Sequence, residues 1–329
     1  MRTLAILLMG YALFAANVEA QNAKSGELAP LSAETKAEPK RAVLAKRVSP
    51  STWYVEGLTV LGTSANRNFI SNAGFIVADG GVVVVDALGS PALARELIAE
   101  IRRVTDKPIT HVVVTHYHAD HVYGLQEFKR IGARIVAHGA AREYLSSDTA
   151  ALRLQSSRVD LKPWIDDSTK LQAADLWIDG TRDLIVGATR IVIKAVGPSH
   201  TPEDLAVFLP SEKVLFAGDL VFRRRIPFVG QANSGHWIKA LDQLLALDAT
   251  AIVPGHGPLS TDARVDMQLT RDYLAYLRAT MGKAAKNLDP FEEAYNATDW
   301  SLYEQLPLFK LANRMNAYNT YLLMEREAD

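Results

Sequence analysis

Thr115-His116-Tyr117-His118-Ala119-Asp120-His121 decides how the rest of the chain is read. Three histidines and an aspartate, all able to bind a metal, are crowded into these positions. The preceding run, Ile109-Thr110-His111-Val112-Val113-Val114, is short, β-branched and apolar, which predicts a buried strand. Gly124-Leu125-Gln126-Glu127-Phe128 then opens a helical pattern. The ligand-capable side chains thus lie just past the carboxyl end of a strand, where α/β proteins place their chemistry. His116 and His118 are two apart, so in extended backbone both point the same way. Asp120 and His121 follow at the turn and can face a second point nearby. One metal ion is a fair reading of this stretch, and two is a better one.

Upstream, Trp53-Tyr54-Val55, Phe69-Ile70 and Gly74-Phe75-Ile76-Val77 predict short strands broken by Asn-rich turns. Asp79-Gly80-Gly81 is a hairpin signal before Val82-Val83-Val84-Val85, which ends at Asp86, a residue suited to holding loops by hydrogen bonds. Pro91 to Val104 has helical spacing, with Leu93, Leu97, Ile98 and Ile101 on one stripe. Downstream come a strand at Arg134-Ile135-Val136-Ala137, a helix from about Ala140, and a polar, irregular segment over 146–174. The second half predicts strands at 184–186, 190–194, 205–208, 214–216 and 251–253, a helix from Trp237 to Leu247, and a mostly helical tail from Asp262.

Three later stretches again put ligand-capable residues at strand ends: His200 in Gly197-Pro198-Ser199-His200-Thr201-Pro202, Asp219 in Leu215-Phe216-Ala217-Gly218-Asp219, and His256 in Val253-Pro254-Gly255-His256-Gly257-Pro258. A lone loop histidine is usually just exposed. Four such loops in one chain are hard to obtain by accident.

These motifs, THYHADH, GPSHTPED, LFAGDLVF and VPGHGP in this order, resemble those of the metallo-β-lactamase superfamily, and the strand VVVVDALG matches too. The resemblance covers roughly 51–262. It implies an α/β fold of the four-layer αββα sandwich type, followed here by a helical C-terminal extension. It also implies two zinc ions on one edge, the first held by His116, His118 and His200, the second by Asp120, His121 and His256, with Asp219 bridging. A hydroxide shared by two ions, its parent water acidified to a pKa of about 7, would attack a polarised carbonyl, with Asp120 orienting it. True metallo-β-lactamases carry cysteine or serine where this chain has Asp219, so the ligand set is closer to glyoxalase II, lactonases and related esterases. The whole chain resembles periplasmic zinc hydrolases linked to sulfur oxidation or quinoprotein systems. The implied activity is hydrolysis of a small ester, thioester, lactone or amide. The alternatives are a mononuclear iron persulfide dioxygenase-like oxidoreductase, and β-lactamase activity.

Composition sets the frame. The 329 residues carry a formal net charge of −1 and no cysteine, which excludes disulfides, thiolate ligands and a lipid anchor on cysteine. There is no bulk positive field to hold nucleic acid, so the expected partner is a small-molecule substrate. Arg2, the apolar run Leu4 to Ala16 and the small-residue ending Val18-Glu19-Ala20 read as a signal peptide cleaved after Ala20, implying export to a periplasm and no stable membrane insertion afterwards. The organisation is then 1–20 signal peptide, 21–46 flexible leader, 47–262 catalytic domain and 263–329 helical extension. Arg223, Arg224 and Tyr123 are candidates for substrate contact, the arginines (with Arg225 beside them) for anchoring a carboxylate. His111, His138 and His236 read as structural.

Overall fold

The computed structural model describes residues 43–328. The signal peptide and nearly all of the leader lie outside the described residues. Of the leader's last positions, Val43 is buried in the core and Lys46 opens the first strand.

The first half builds a seven-stranded sheet in chain order: β1 (Lys46–Ser49), β2 (Thr52–Val55), β3 (Ala73–Ala78), β4 (Gly81–Val85), β5 (Ile109–Val113), β6 (Arg134–His138) and β7 (Leu176–Ile178). The first four strands pair antiparallel, whereas β4 to β7 run parallel. The second half builds a five-stranded sheet, ordered β12 (Ala251–His256), β11 (Val214–Phe222), β10 (Leu205–Leu209), β9 (Thr189–Ala195) and β8 (Arg182–Val186).

Alternation along the strands assigns the layers. On β4, Val82 and Val84 enter a core shared with helix α1 (Pro91–Val104), while Val83 and Val85 enter one shared with the second sheet. On β10, Leu205, Val207 and Leu209 face the first sheet, and Ala206 and Phe208 face helices. Those helices are α6 (Ser234–Leu245), α7 (Ala263–Asn287) and α9 (Phe309–Ala328), which contribute Trp237, Leu274 and Ala317 among others. The order is helix, sheet, sheet, helix, as the motifs implied. Strands buried on both faces explain why these runs are continuously apolar rather than alternating. Helix α1 starts where Ser90 caps the Leu93 amide ahead of Pro91, and it ends on Arg102 and Arg103, favourable at a helix C-terminus.

Two expectations fail locally. Phe69-Ile70 is not a strand, because Arg67 and Asn68 sit in the left-handed region and coil that segment into turns. The segment 146–174 is not irregular throughout: after α4 (Ala141–Leu145), helix α5 spans Asp148–Asp160 behind its cap Ser147. Only Ala150 and Leu154 of α5 are buried, so it has almost no apolar stripe to read. The tail is helical as expected, with α8 (Phe291–Ala297) between α7 and α9. No helix among the described residues is long and apolar enough to cross a membrane.

Candidate metal centre

Two loops that follow strands, and positions within two further strands, meet along one edge where the two sheets adjoin. The first follows β5. His116 and His118 lie in its extended part, and Asp120 and His121 in the single turn α2 (Ala119–Val122), which leads on to α3 (Leu125–Arg130). His200 comes from the turn after β9, Asp219 from within β11, and His256 from the last position of β12. Two glycines make the approach possible. Gly218 takes φ +52°, and a Cβ there would press on Thr115. A Cβ on Gly255 would lie 1.9 Å from Asp219 Oδ1.

All seven ligand-capable residues converge. The donor atoms of His116, His118, His200 and Asp219 lie within 4.8 Å of one another, as do those of Asp120, His121 and His256. Asp219 joins the groups: its Oδ2 is 3.4 Å from His200 Nε2, 3.8 Å from His116 Nε2 and 3.3 Å from His256 Nε2. Its Oδ1 is 3.2 Å from His121 Nε2. Asp120 Oδ2 lies 3.3 Å from His256 Nε2.

The donor set fits cations. Nε2 of His116, Nε2 of His121 and Oδ1 of Asp219 are buried without a hydrogen-bond partner, a costly state that a coordinated ion relieves. His118 Nδ1 and His200 Nε2 face each other at 3.1 Å. Neutral imidazole and carboxylate suit zinc and other transition ions.

Outer contacts fix which nitrogen each ring presents. Asp86, in the left-handed conformation at the end of β4, accepts from Thr115 N (2.8 Å) and Thr115 Oγ1 (2.8 Å) and meets His121 Nδ1 at 2.9 Å. A carboxylate only accepts here, so His121 carries its proton on Nδ1 and keeps Nε2 for a metal. His256 Nδ1 lies 2.8 Å from the Ile70 carbonyl oxygen and 3.4 Å from Arg225 Nη1. One nitrogen cannot donate to the first and accept from the second, and the shorter contact to a pure acceptor decides for Nδ1–H. Asn72 ties the sheets beneath: its Nδ2 donates to the Pro254 and Gly257 carbonyls, both at 2.8 Å, and its Oδ1 accepts from Gly57 N at 3.0 Å.

Charge divides the histidines. Burial pushes His116, His118 and His200 down, His200 to about 4, leaving them neutral donors. Burial works the same way on His121 and His256, but the Asp219 and Asp120 carboxylates outweigh it and raise both. For the two carboxylates burial is opposed by His121 and His256, which hold both below the usual range.

The structure places the substrate-contact candidates in three different settings. Tyr123 is buried in the helix–sheet core with its hydroxyl 3.1 Å from Ser157 Oγ. Arg223 turns to Asp266 (2.6 Å) and the Leu259 carbonyl (2.8 Å), and Arg224, at φ +54°, points to solvent. Arg225 is the arginine of the three that reaches the centre, buried over the Phe222 ring beside His256. Asp86 does the loop-holding expected of it. His236 is exposed, and His111 and His138 are half-buried with local partners Thr110 Oγ1 and Ala140 N. Unforeseen neighbours are Phe222, stacked on His256 at 5.2 Å, and Phe228 and Trp237 packed edge-on around His200. An apolar residue near a motif carries no sign of which motif it covers.

A profile of the metallo-beta-lactamase superfamily matches residues 66–256, more than half of the chain and inclusive of all seven residues. The chain belongs to that superfamily. It is a superfamily of metal-dependent hydrolases, and the His/Asp cluster is this member's metal-binding site. Among relatives, a linear primary-alkylsulfatase of Pseudomonas sp. (strain ATCC 19151) is 27% identical over 256 residues, covering 66% of this chain but 48% of its own length. A metallo-beta-lactamase type 2 of Bacillus sp. (strain 170) is 27% identical over 204 residues, 60% of this chain and 71% of that protein. Among solved structures, a metallo-beta-lactamase from Pontibacter korlensis superposes with TM-score 0.55 at 22% identity, over 70% of this chain and 98% of that one. A stereoselective inverting sec-alkylsulfatase from Pseudomonas sp. gives TM-score 0.63 at 18% identity, over 85% of this chain and 50% of that one. This chain thus spans about half the length of the alkylsulfatases it matches. At these identities the superpositions establish the fold alone.

Proposed function

We propose that this superfamily member is a periplasmic hydrolase holding two zinc ions and cleaving a small ester, thioester, lactone or amide. The position of Asp219 carries the reading, because one carboxylate stands within 3.8 Å of a histidine nitrogen from each ligand group. His116, His118 and His200 would hold one ion, Asp120, His121 and His256 the other, with Asp219 between them. When bound, the ions supply Lewis acidity toward the substrate carbonyl and acidify water at neutral pH.

The chain's own groups do the rest. Asp86 and the Ile70 carbonyl hold the two Nδ1 protons, so that both Nε2 atoms stay available. Asp120, on the first turn of α2, would orient the attacking water. Phe222, Phe228 and Trp237 exclude solvent from the histidine side, which strengthens every charge interaction within. The alkylsulfatase and β-lactamase relatives add sulfate esters and β-lactams to the bonds worth testing. The periplasmic assignment rests on the signal-like N-terminus.

Metal analysis of the mature protein purified without added metal, with a panel of thioesters, lactones, aryl esters, alkyl sulfates and a chromogenic cephalosporin, tests the proposal. Two zinc ions, and activity lost in His116→Ala and Asp219→Ala, are expected. One iron, oxygen consumption with a persulfide and no hydrolysis would overturn it in favour of the dioxygenase alternative.

A further inference from the structure

The chain leaves β11 at Phe222 and returns toward the centre through 225–229. The Phe228 ring stands edge-on to both His118 and His200, 6.3 Å from each. This loop is fastened from the far end of the chain. Asn316 on α9 accepts from Val229 N at 3.0 Å and donates to the Pro227 carbonyl at 2.7 Å, so that it brackets Phe228. Its remaining amide proton goes to Tyr273 Oη at 2.9 Å, and that hydroxyl donates to Asn313 Oδ1 at 2.8 Å. Ile226 N is bonded in addition to the Pro307 carbonyl at 3.1 Å.

Asn316 is fully buried between helix α7 and the loop, and each polar atom of its amide is used. Helix packing alone would be served better by an apolar side chain, since a buried amide is costly unless wholly satisfied. What the amide achieves is capture of two consecutive peptide groups of a loop that has no ladder of its own. We infer that the C-terminal extension is a positioning element for the metal centre: Asn316 bolts the 227–229 loop so that Phe228 closes the side of the centre formed by His118 and His200. The inference rests on the metal-binding reading of those histidines, and Asn316 acts through Phe228 rather than by touching a reacting group.

The test uses zinc-loaded full-length mature protein well below its melting temperature. Transfer of zinc to a chromogenic chelator is timed, and exchange of the Val229 amide is followed separately. Asn316→Leu removes two hydrogen bonds to the loop and is expected to speed release by about tenfold or more, with Val229 protection lost. Asn313→Leu disrupts the same polar network without touching the loop, and is expected to leave release at the wild-type rate even if it lowers Tm. Phe228→Ala, in a half-buried ring, is expected to speed release while Val229 stays protected; it carries the test alone should Asn316→Leu fail to fold. Wild-type release in Phe228→Ala, or acceleration by Asn313→Leu equal to that by Asn316→Leu, overturns the inference. A wild-type protein that takes up no zinc defeats the metal reading itself, whereas unchanged Val229 exchange in Asn316→Leu defeats the clamp without reference to metal.

Discussion

Replacing Asp86 by Asn changes almost no volume yet should disable one ligand group selectively. Asp86 receives three hydrogen bonds, from Thr115 N, Thr115 Oγ1 and His121 Nδ1, at 2.8, 2.8 and 2.9 Å. With Asn, the oxygen can stay on Thr115 N, which places NH2 against Thr115 Oγ1 and His121 Nδ1. The hydroxyl can accept from it. The imidazole can accept only by moving its proton to Nε2, the atom that faces Asp219 and Asp120. His121 then has either a repulsive N–H contact or a blocked donor nitrogen. Loss of an outer-shell partner of this kind typically costs 10- to 100-fold in metal affinity, about 1.4 to 2.8 kcal/mol. The loss should fall chiefly on the Asp120/His121/His256 group, with a smaller effect on the other, where His116 Nδ1 meets the Thr115 hydroxyl at 3.1 Å. Zinc titration against a competing chelator resolves the two binding steps. Two steps of wild-type affinity, or equal weakening of both, would refute the tautomer reasoning.

Asp219→Ala removes the carboxylate common to both groups, so both affinities should drop and hydrolysis should fall below about 1% of wild type, measured on whichever substrate of the panel is cleaved. Acidification should empty the groups in order. The Asp219 and Asp120 carboxylates raise His121 and His256 above the usual imidazole range, so protons compete with an ion there at higher pH, and binding in this group weakens first as pH falls. His116, His118 and His200 are lowered, so proton competition begins only further down, near 4 for His200. Equilibrium dialysis across this range should show stepwise loss, and simultaneous loss would contradict it. Asn72→Ala strands the Gly57 amide and deprives the Pro254 and Gly257 carbonyls of a shared donor, which predicts a cost of about 3 kcal/mol in denaturant unfolding. Tyr123→Phe and Arg224→Ala should leave KM within about twofold, while Arg225→Ala raises it for an anionic substrate if that guanidinium meets the anion.

The ligand residues were legible because metal chemistry restricts residue type and because each lies at or just beyond an apolar run that reads as a strand, although Asp219 and His256 prove to be still within their strands. The residues alone pointed to an α/β sandwich, and the αββα order came from the resemblance of the motifs to the superfamily. Other features depend on information that residue type does not carry. Three successive arginines are alike in sequence, and only the left-handed backbone at Arg224 decides that Arg225 turns inward. Helix α5 was missed because a helix lying on the surface with two buried side chains has no stripe to find. Asn316 reads as an unremarkable polar residue in a helix, and its role comes from a loop 87 positions earlier that tertiary packing lays beside it.

The ligands are divided between the sheets: the His116–His121 loop belongs to the first, and His200, Asp219 and His256 to the second. An ion held among them is therefore a cross-link in a chain that has no cysteine to form one. It ties together segments far apart along the backbone, as a disulfide would, but through bonds that acid or a chelator can undo. Loaded protein should accordingly resist pulling and proteolysis for as long as the ion stays, and the rate at which the two halves part should be set by metal dissociation rather than by the apolar seam between them.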